Sequence, residues 1–339
     1  MNDTIIYDSR KEVRKEPKNL LEKDINLFKH ELNLLLPPVT LVDFRNVSIL
    51  RNFIFSLKTL KVHLSLTHVF STSKKSILKR LLLFVLPAQK LEYGVWITDE
   101  LSAEYFHWFT DALTRLKAIE YGLSRTTINN DEIQLPCIIL PLAYQNKEYI
   151  NSSIELLGYK PFYYNPKKRL HVDRLISCTH TAPMGNYNSS VIKDLSNSLT
   201  KCINTVEVEK KIYISRSKAT KRKIINEAEV IELLLAHSYE IHNFEDYKFL
   251  QQLEIMRSVK CLIGLHGAGL TNMLFMPQGG SIVELRNEGD SHNNCYFSLS
   301  SSLNQNYFYL TNKGDRKDTN SVNITVDLLE LRTLLEQIP

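Results

Sequence analysis

The chain has 339 residues, 43% of them hydrophobic and 23% charged, enough for a soluble globular core and longer than one domain usually runs. Its 42 Lys and Arg against 37 Asp and Glu give a net charge of +5. That is too mild to call for nucleic acid, and it suits an anionic small substrate or a weak attraction to an anionic membrane surface. The five cysteines form no C-x-x-C pair and no zinc-ligand spacing, so they read as reduced, mostly buried thiols of a cytosolic protein, with no metal expected.

The N-terminus, MNDTIIYDSRKEVRKEPKN, has no apolar stretch of signal-peptide type. No apolar run approaches the ~20 residues that span a bilayer. Residues 1–35 are charged and helix-prone and read as a peripheral helical segment, stopped by Pro37-Pro38. Short β-branched and aromatic runs follow around Val39–Phe44 and Val62–Phe70. Ser73–Leu86, SKKSILKRLLLFVL, sets Lys74, Lys75, Lys79 and Arg80 ahead of an apolar block. It reads either as a core element with a solvated basic end or as an interfacial segment touching anionic lipid. Its shortness and Pro87 favour the first.

Gly94–Thr98 reads as a strand. A helix is expected from about Ala103 to Tyr121, with Gly122 as its C-cap. On it His107 and Asp111 are four apart and share a face. Such a pair is either a surface ion pair or a base whose tautomer the carboxylate fixes, and spacing alone favours the ion pair. A Pro-bounded strand at Leu135–Pro141, a helix about Glu148–Leu157 ending at Gly158, a strand at Arg174–Cys178, a polar loop from Thr179 to Asn188 and a helix about Ser189–Thr200 complete this half.

From the charged linker Val206–Lys211 onward the pattern becomes regular. Strands are expected at Ile212–Ser215, Tyr239–His242, Cys261–Ile263 and Ile282–Leu285. Between them fall helices from Asn226 to His237, from Asp246 to Arg257, and a short one from Leu270 to Met276. Asn226 reads as an N-cap, with Glu229 in capping-box position. Such alternation implies a parallel sheet covered on both faces by helices, with ligands beyond the carboxyl ends of the strands. Two loops sit there: the basic Arg216–Arg222 and the glycine-rich Leu265–Gly269. A glycine-rich turn opening a helix presents free N–H groups at the positive end of a dipole, a site for phosphate. Glycine also tolerates positive φ and close approach of a ligand, and His266 can donate to a phosphate oxygen. Either loop alone could be a plain turn; together they point to a phosphate pocket. After Glu284 come Arg286, a loop with Asp290 and His292, a helix about Asn294–Leu303, a strand at Tyr307–Leu310 and an amphipathic helix over Val326–Gln337.

The segments SRSKATKRKIINEAEV, FLQQLEIMRSVKCLIG and LHGAGLTNMLFMPQGGSIVEL, with YFHWFTDALTRL upstream (Tyr105–Leu116), resemble glycosyltransferase family 61 from about Val95 to Leu310. The resemblance implies an α/β fold of the GT-B type, two Rossmann-like domains facing across a cleft. Residues 1–205 would form the acceptor side and 206–325 the nucleotide-sugar domain, with 326–339 a helix packing back on the N-terminal domain. It implies an inverting, metal-independent transfer with no cofactor beyond the nucleotide-sugar donor, taken as UDP-linked. Arg216 and Arg222 would grip the diphosphate, with His266 and the backbone of Gly267, Ala268, Gly269, Leu270 and Thr271. Glu284 would hold the ribose hydroxyls and Gln252 would lie near the nucleotide. One of His107 and Asp111 would be the base and the other its orienting partner, in an order the sequence leaves open.

The acceptor would be a glycan, lipid-carrier-linked in one version. The setting would be a bacterial cytoplasmic enzyme of capsule, lipopolysaccharide or other surface-glycan synthesis, with peripheral membrane contact through Lys74–Leu86. A non-catalytic nucleotide- or glycan-binding relative is the alternative. An esterase would need a G-x-S-x-G elbow, which the sequence lacks. The Lys218–Lys223 cluster alone does not argue for nucleic acid.

Overall fold

The computed structural model describes residues 2–63, 66, 73–126, 136–203, 207–288, 290, 293–316 and 321–339. Most of the expected run Val62–Phe70 (all but Val62, His63 and Leu66), with Leu135, Val206, His292 and part of the polar stretch after Thr311, falls outside them. The chain forms two compact units, Met1–Arg10 with Leu36–Pro183, and Lys11–Leu35 with Met184–Pro339. The boundary therefore falls at Pro183 rather than at 205, and the first 35 residues are shared between the units. No helix among the described residues is long and apolar enough to cross a membrane.

The N-terminal stretch is mostly extended, not the helix its charge suggests. β1 (Asn2–Tyr7), β2 (Arg10–Val13), the single-turn α1 (Ile25–Phe28) and β3 (Asn33–Leu36) follow one another. β1 pairs antiparallel with β4 (Val39–Leu50), from Asn2 opposite Asp43 to Tyr7 opposite Val39. Backbone pairing with an existing strand overrides the local preference.

In the first unit β4 is followed by β5 (Phe53–Ser56), β6 (Lys61–Val62), α2 (Lys74–Leu81), β7 (Gln89–Trp96), α3 (Tyr105–His107), a π-helical turn (Trp108–Ala112) and α4 (Leu113–Thr126). Next come β8 (Cys137–Pro141), α5 (Glu148–Leu156), β9 (Pro161–Tyr164) and β10 (Leu170–Cys178). The sheet order is β6-β5-β4-β10-β7-β8-β9. Strands β10, β7, β8 and β9 are parallel, while β4, β5 and β6 are antiparallel, so the sheet is mixed. Phe44, Trp96, Ile139, Tyr164 and Leu175 belong to its core. Gly158, at φ +82°, closes α5 as expected. Gly122 does not cap its helix. The helix runs through it to Thr126, and a Cβ there would stand 2.7 Å from Ile6 Cγ2, so glycine serves close packing against β1.

The second unit follows the expected alternation. It contains α6 (Ser189–Thr200), β11 (Lys210–Ile214), α7 (Glu227–Ala236), β12 (Glu240–His242), α8 (Phe249–Met256), β13 (Val259–Leu265), a 3-10 helix (Ala268–Phe275) and β14 (Ser281–Asn287). α9 (Cys295–Ser302), β15 (Asn306–Gly314), β16 (Ile324–Thr325) and α10 (Leu328–Leu335) complete it. The strand order is β12-β11-β13-β14-β15-β16, parallel except for the last pair. Buried on both faces, the central strands read as near-continuous apolar runs, which is why the sequence disclosed them. α10 does not leave this unit: Leu331, Leu334 and Leu335 share a core with Val230 and Leu234 of α7. Asn226 sits at the N-cap of α7 but makes no cap bond; its amide instead bonds the Val326 carbonyl and N–H, each at 2.9 Å.

Candidate functional site

At the carboxyl ends of the second unit's strands, Ile214, Gly264, Glu284 and Tyr309 stand in one register row. The loops beyond them carry the candidate residues. After β11 the chain turns through Ser215 and Arg216, held by the carboxylate of Glu227. One Glu227 oxygen accepts from the Tyr213 hydroxyl (2.8 Å), the Ser215 hydroxyl (2.9 Å) and the Arg216 amide (3.1 Å). Arg216 Nε then donates to the Arg222 carbonyl at 2.9 Å and Nη2 to the Lys221 carbonyl at 3.0 Å. Arg222 closes the loop in the left-handed region, φ 57°, and its Nη1 lies 3.5 Å from the His266 carbonyl. Burial first, then the neighbouring Arg222 guanidinium, lower the Arg216 pKa. Two like charges are thus confined side by side, and Arg222 Nε is buried with no hydrogen-bond partner among the described residues. An anion would relieve both costs. Two nearby lysines are engaged elsewhere: Lys218 pairs with Asp246 at 2.6 Å, and Lys223 donates to the Ser217 carbonyl.

The glycine-rich turn abuts these arginines. A Cβ on Gly267 would stand 2.9 Å from Arg216 Nη1, and one on Gly269 would stand 3.1 Å from Ile214 Cγ2. Gly267 has φ 160°, extended backbone open to any residue, so the expected positive φ is not what glycine provides here. Glycine provides room for the guanidinium against the main chain. The 3-10 helix then starts at Ala268, and its first amides have no partner within the helix. Leu270 is different: its N–H donates to the Gly267 carbonyl at 2.9 Å and its side chain is buried, so its amide is not available to a phosphate. Thr271 is fully buried, its hydroxyl beside the Tyr296 phenol.

His266 is positioned from beneath. Its N–H donates to the Leu285 carbonyl at 2.9 Å, and its ring meets the edge of Tyr296 at 5.0 Å. Its Nδ1 bonds Glu284 Oε1, and the Tyr307 hydroxyl donates to Glu284 Oε2. Burial alone would raise the Glu284 pKa; His266, Arg286 and Tyr307 together hold it below its ordinary value. Arg286, also fully buried, donates to Asn294 Oδ1 at 3.0 Å and the Asp290 carbonyl at 2.9 Å, and its guanidinium lies 5.3 Å from the Phe28 ring centroid. Glu284, expected as a ribose ligand, has each of its oxygens engaged within the protein, one by His266 and one by Tyr307. Gln252 likewise uses both amide hydrogens on the Phe244 and Tyr247 carbonyls (2.9 and 3.1 Å), shaping the loop after β12.

In the first unit, His107 Nδ1 and Asp111 Oδ2 are 2.6 Å apart, both side chains mostly shielded. His107 precedes the π-helical turn and Asp111 lies within it, an irregularity frequent at functional sites. Sequence reasoning missed a second His–Asp pair at the ends of adjacent parallel strands. His180 Nε2, just past β10, lies 3.1 Å from Asp99 Oδ2, just past β7. Asp99 Oδ1 accepts from the amides of Leu101 and Ser102. Beneath them Arg115 is fully buried, donating to the carbonyls of Ile97 (2.9 Å) and Cys178 (2.8 Å) and so tying α4 to both strand ends. A lone Arg between Leu113 and Leu116 was the available signal. Glu227, Tyr296 and Tyr307 carried none. No group of three or more His, Cys, Asp or Glu able to hold a metal ion occurs among the described residues.

A family model described as Glycosyltransferase 61 matches residues 105–283, just over half of the chain. The chain belongs to the glycosyltransferase 61 family. The family match begins where α3 begins and stops one residue short of Glu284, so it takes in the His107–Asp111 pair, both arginines and the His266 turn. Three similar proteins bear the name EGF domain-specific O-linked N-acetylglucosamine transferase. That of Bos taurus is 41% identical over 83 residues, 23% of this chain and 15% of the relative. That of Drosophila melanogaster is 41% identical over 90 residues, 26% and 17%. That of Rattus norvegicus is 31% identical over 159 residues, 45% and 28%. The matches thus cover less than a third of each of these relatives' length.

Proposed function

We propose that this family 61 glycosyltransferase is an inverting enzyme of the GT-B type that moves a sugar from a UDP-linked donor to a glycan acceptor without a metal ion. The observation that carries the reading is the pairing of Arg216 and Arg222 against the His266–Gly269 turn. A leaving diphosphate needs its developing charge stabilised, and preorganised cations with helix-terminal amides do this without a divalent ion. His266, oriented by Glu284, offers a further donor.

Inversion is a single displacement. The acceptor oxygen bonds to the anomeric carbon as the bond from that carbon to the diphosphate breaks. The acceptor proton passes to one base. His107 fits that role, with Asp111 orienting it through Nδ1 so that Nε2 receives the proton. The relatives' names make the N-acetylglucosamine nucleotide the first donor to try, and an EGF domain one acceptor to set beside lipid-linked glycans of surface-polysaccharide type. We place the reaction in the cytoplasm.

Titration calorimetry with UDP, GDP, CDP and CMP, on the wild type, Arg216→Ala and Asp111→Ala, tests this. UDP should bind the wild type, and Arg216→Ala should weaken it about tenfold or more. Asp111→Ala should bind UDP normally and lose roughly 10²–10⁴-fold in transfer. Loss of UDP binding in Asp111→Ala would put that residue in the wrong role. Binding of no nucleotide by the wild type would leave a non-catalytic glycan-binding relative.

A further inference from the structure

We propose that α2, the turn that follows it and the β5–β6 turn form a docking face for an anionic lipid bilayer. The charge distribution is the first ground. Between Arg51 and Lys90 lie eight of the chain's 42 basic residues and none of its 37 acidic ones, so the remainder, with 34 against 37, is slightly acidic. The excess positive charge of the whole chain sits in this one stretch.

The second ground is what faces water there. The inner side of this region is spent on the fold: Leu83 is buried with Leu50 and Phe55, and Phe84 meets the edge of Phe55 at 5.4 Å. Arg80 also turns inward, 4.2 Å over the Phe53 ring and 3.0 Å from the Glu100 carboxylate, so that cation is neutralised and structural. The outer side carries Leu78 (62% exposed) on α2, Leu82 (61%) and Val85 (83%) three apart on the 3-10 turn Leu82–Val85 and so on one face of it, and Leu86 (44%) in the extended residue that ends it. Lys75 and Lys79 are exposed on the same side. In the turn between β5 and β6, Leu57 (48%) and Leu60 (75%) are exposed beside Lys58 and Lys61, which are exposed too. This hairpin is the one on which the α2 region packs, through Phe55 and Val62.

Large aliphatic side chains interleaved with lysines, and no carboxylate among them, match the headgroup–acyl boundary of an anionic leaflet. A nucleic acid or an acidic polysaccharide would be served by the lysines and would have no use for six exposed aliphatics.

Co-sedimentation of the full chain with vesicles decides this without donor or acceptor, so its outcome is independent of the transferase reading. The protein should pellet with phosphatidylcholine vesicles containing phosphatidylglycerol and stay in solution with phosphatidylcholine alone. Salt at about 1 M, where the Debye length is about 3 Å, should release it. Lys75→Gln with Lys79→Gln should lower the partition coefficient roughly 25-fold, about fivefold per cation. Leu82→Asn with Val85→Asn should lower it at least about tenfold. All four positions are exposed, so melting temperatures should match the wild type. No binding to the mixed vesicles, or variants that bind like the wild type, would overturn the proposal. So would a wild-type dimer that ignores vesicles and becomes monomeric in the Leu82/Val85 variant, which would make the face an interface between copies.

Discussion

His266 Nδ1 is bonded to the fully buried carboxylate of Glu284, whose other oxygen accepts from Tyr307. The carboxylate sets which imidazole nitrogen faces the turn: with Nδ1 engaged, Nε2 is the ring atom left for a ligand, and it donates to a phosphate oxygen when the ring is the imidazolium, which the buried carboxylate partners. Glu284→Gln keeps the shape and removes the charge. We expect transfer to fall about 10- to 100-fold, the range of one charge-assisted hydrogen bond, with UDP affinity falling in parallel. Steady-state kinetics beside calorimetry measures both, and an unchanged rate would remove Glu284 from the machinery.

Gly267→Ala tests the close approach of Arg216. The added Cβ would lie 2.9 Å from Nη1, so the guanidinium must move while the backbone, already extended, need not. UDP binding should weaken by about tenfold, with the melting temperature within about 2 °C of wild type, because the atom displaced is the end of a flexible side chain.

The Asp99–His180 pair predicts a pH dependence of stability. Burial would raise the Asp99 pKa, but His180, Arg115 and the Leu101 amide outweigh it and hold the carboxyl well below its ordinary 3.8. A depressed folded-state value means the stabilisation is complete above the unfolded value and is lost as pH falls below 3.8. Urea titrations of the wild type should therefore show a steep loss of stability below about pH 4. Asp99→Asn should be about 2 kcal/mol less stable at neutral pH and show a flatter acid limb.

EDTA should leave transfer intact, since Arg216 and Arg222 are proposed to stabilise the diphosphate. A loss of activity restored by Mn²⁺ would show that a metal ion takes that part.

The second unit was readable because parallel strands buried on both sides leave unbroken apolar runs, and because glycine and arginine clusters mark their carboxyl ends. The residues that hold those ends in place were not readable, since they act across the sheet. Glu227 was passed over for Asn226 and Glu229, the local capping candidates, whereas its partners Tyr213 and Ser215 lie on the preceding strand and just beyond its end. Nothing in sequence reveals that Tyr307, on the neighbouring strand, engages the second oxygen of Glu284. β1 was read as part of a helix because its pairing partner, β4, lies more than thirty residues away. Gly122 looked like a cap for a similar reason: Ile6, the neighbour that requires glycine, is distant in sequence.

The excursion of Lys11–Leu35 into the second unit has a consequence for how this protein can be cut or recombined. Phe28 stacks among Phe297, Tyr307 and Tyr309, at 5.1, 6.1 and 4.9 Å. Asp24 accepts the Tyr309 hydroxyl, and Asn294 reaches the Leu27 carbonyl. A fragment starting at Met184 would contain every proposed diphosphate contact and still lack the aromatic stopper over Arg286. Exchanging the second unit by a single crossover at Met184 would strand that plug on the wrong parent, so a chimera that moves the unit whole needs three junctions, two of them flanking Lys11–Leu35.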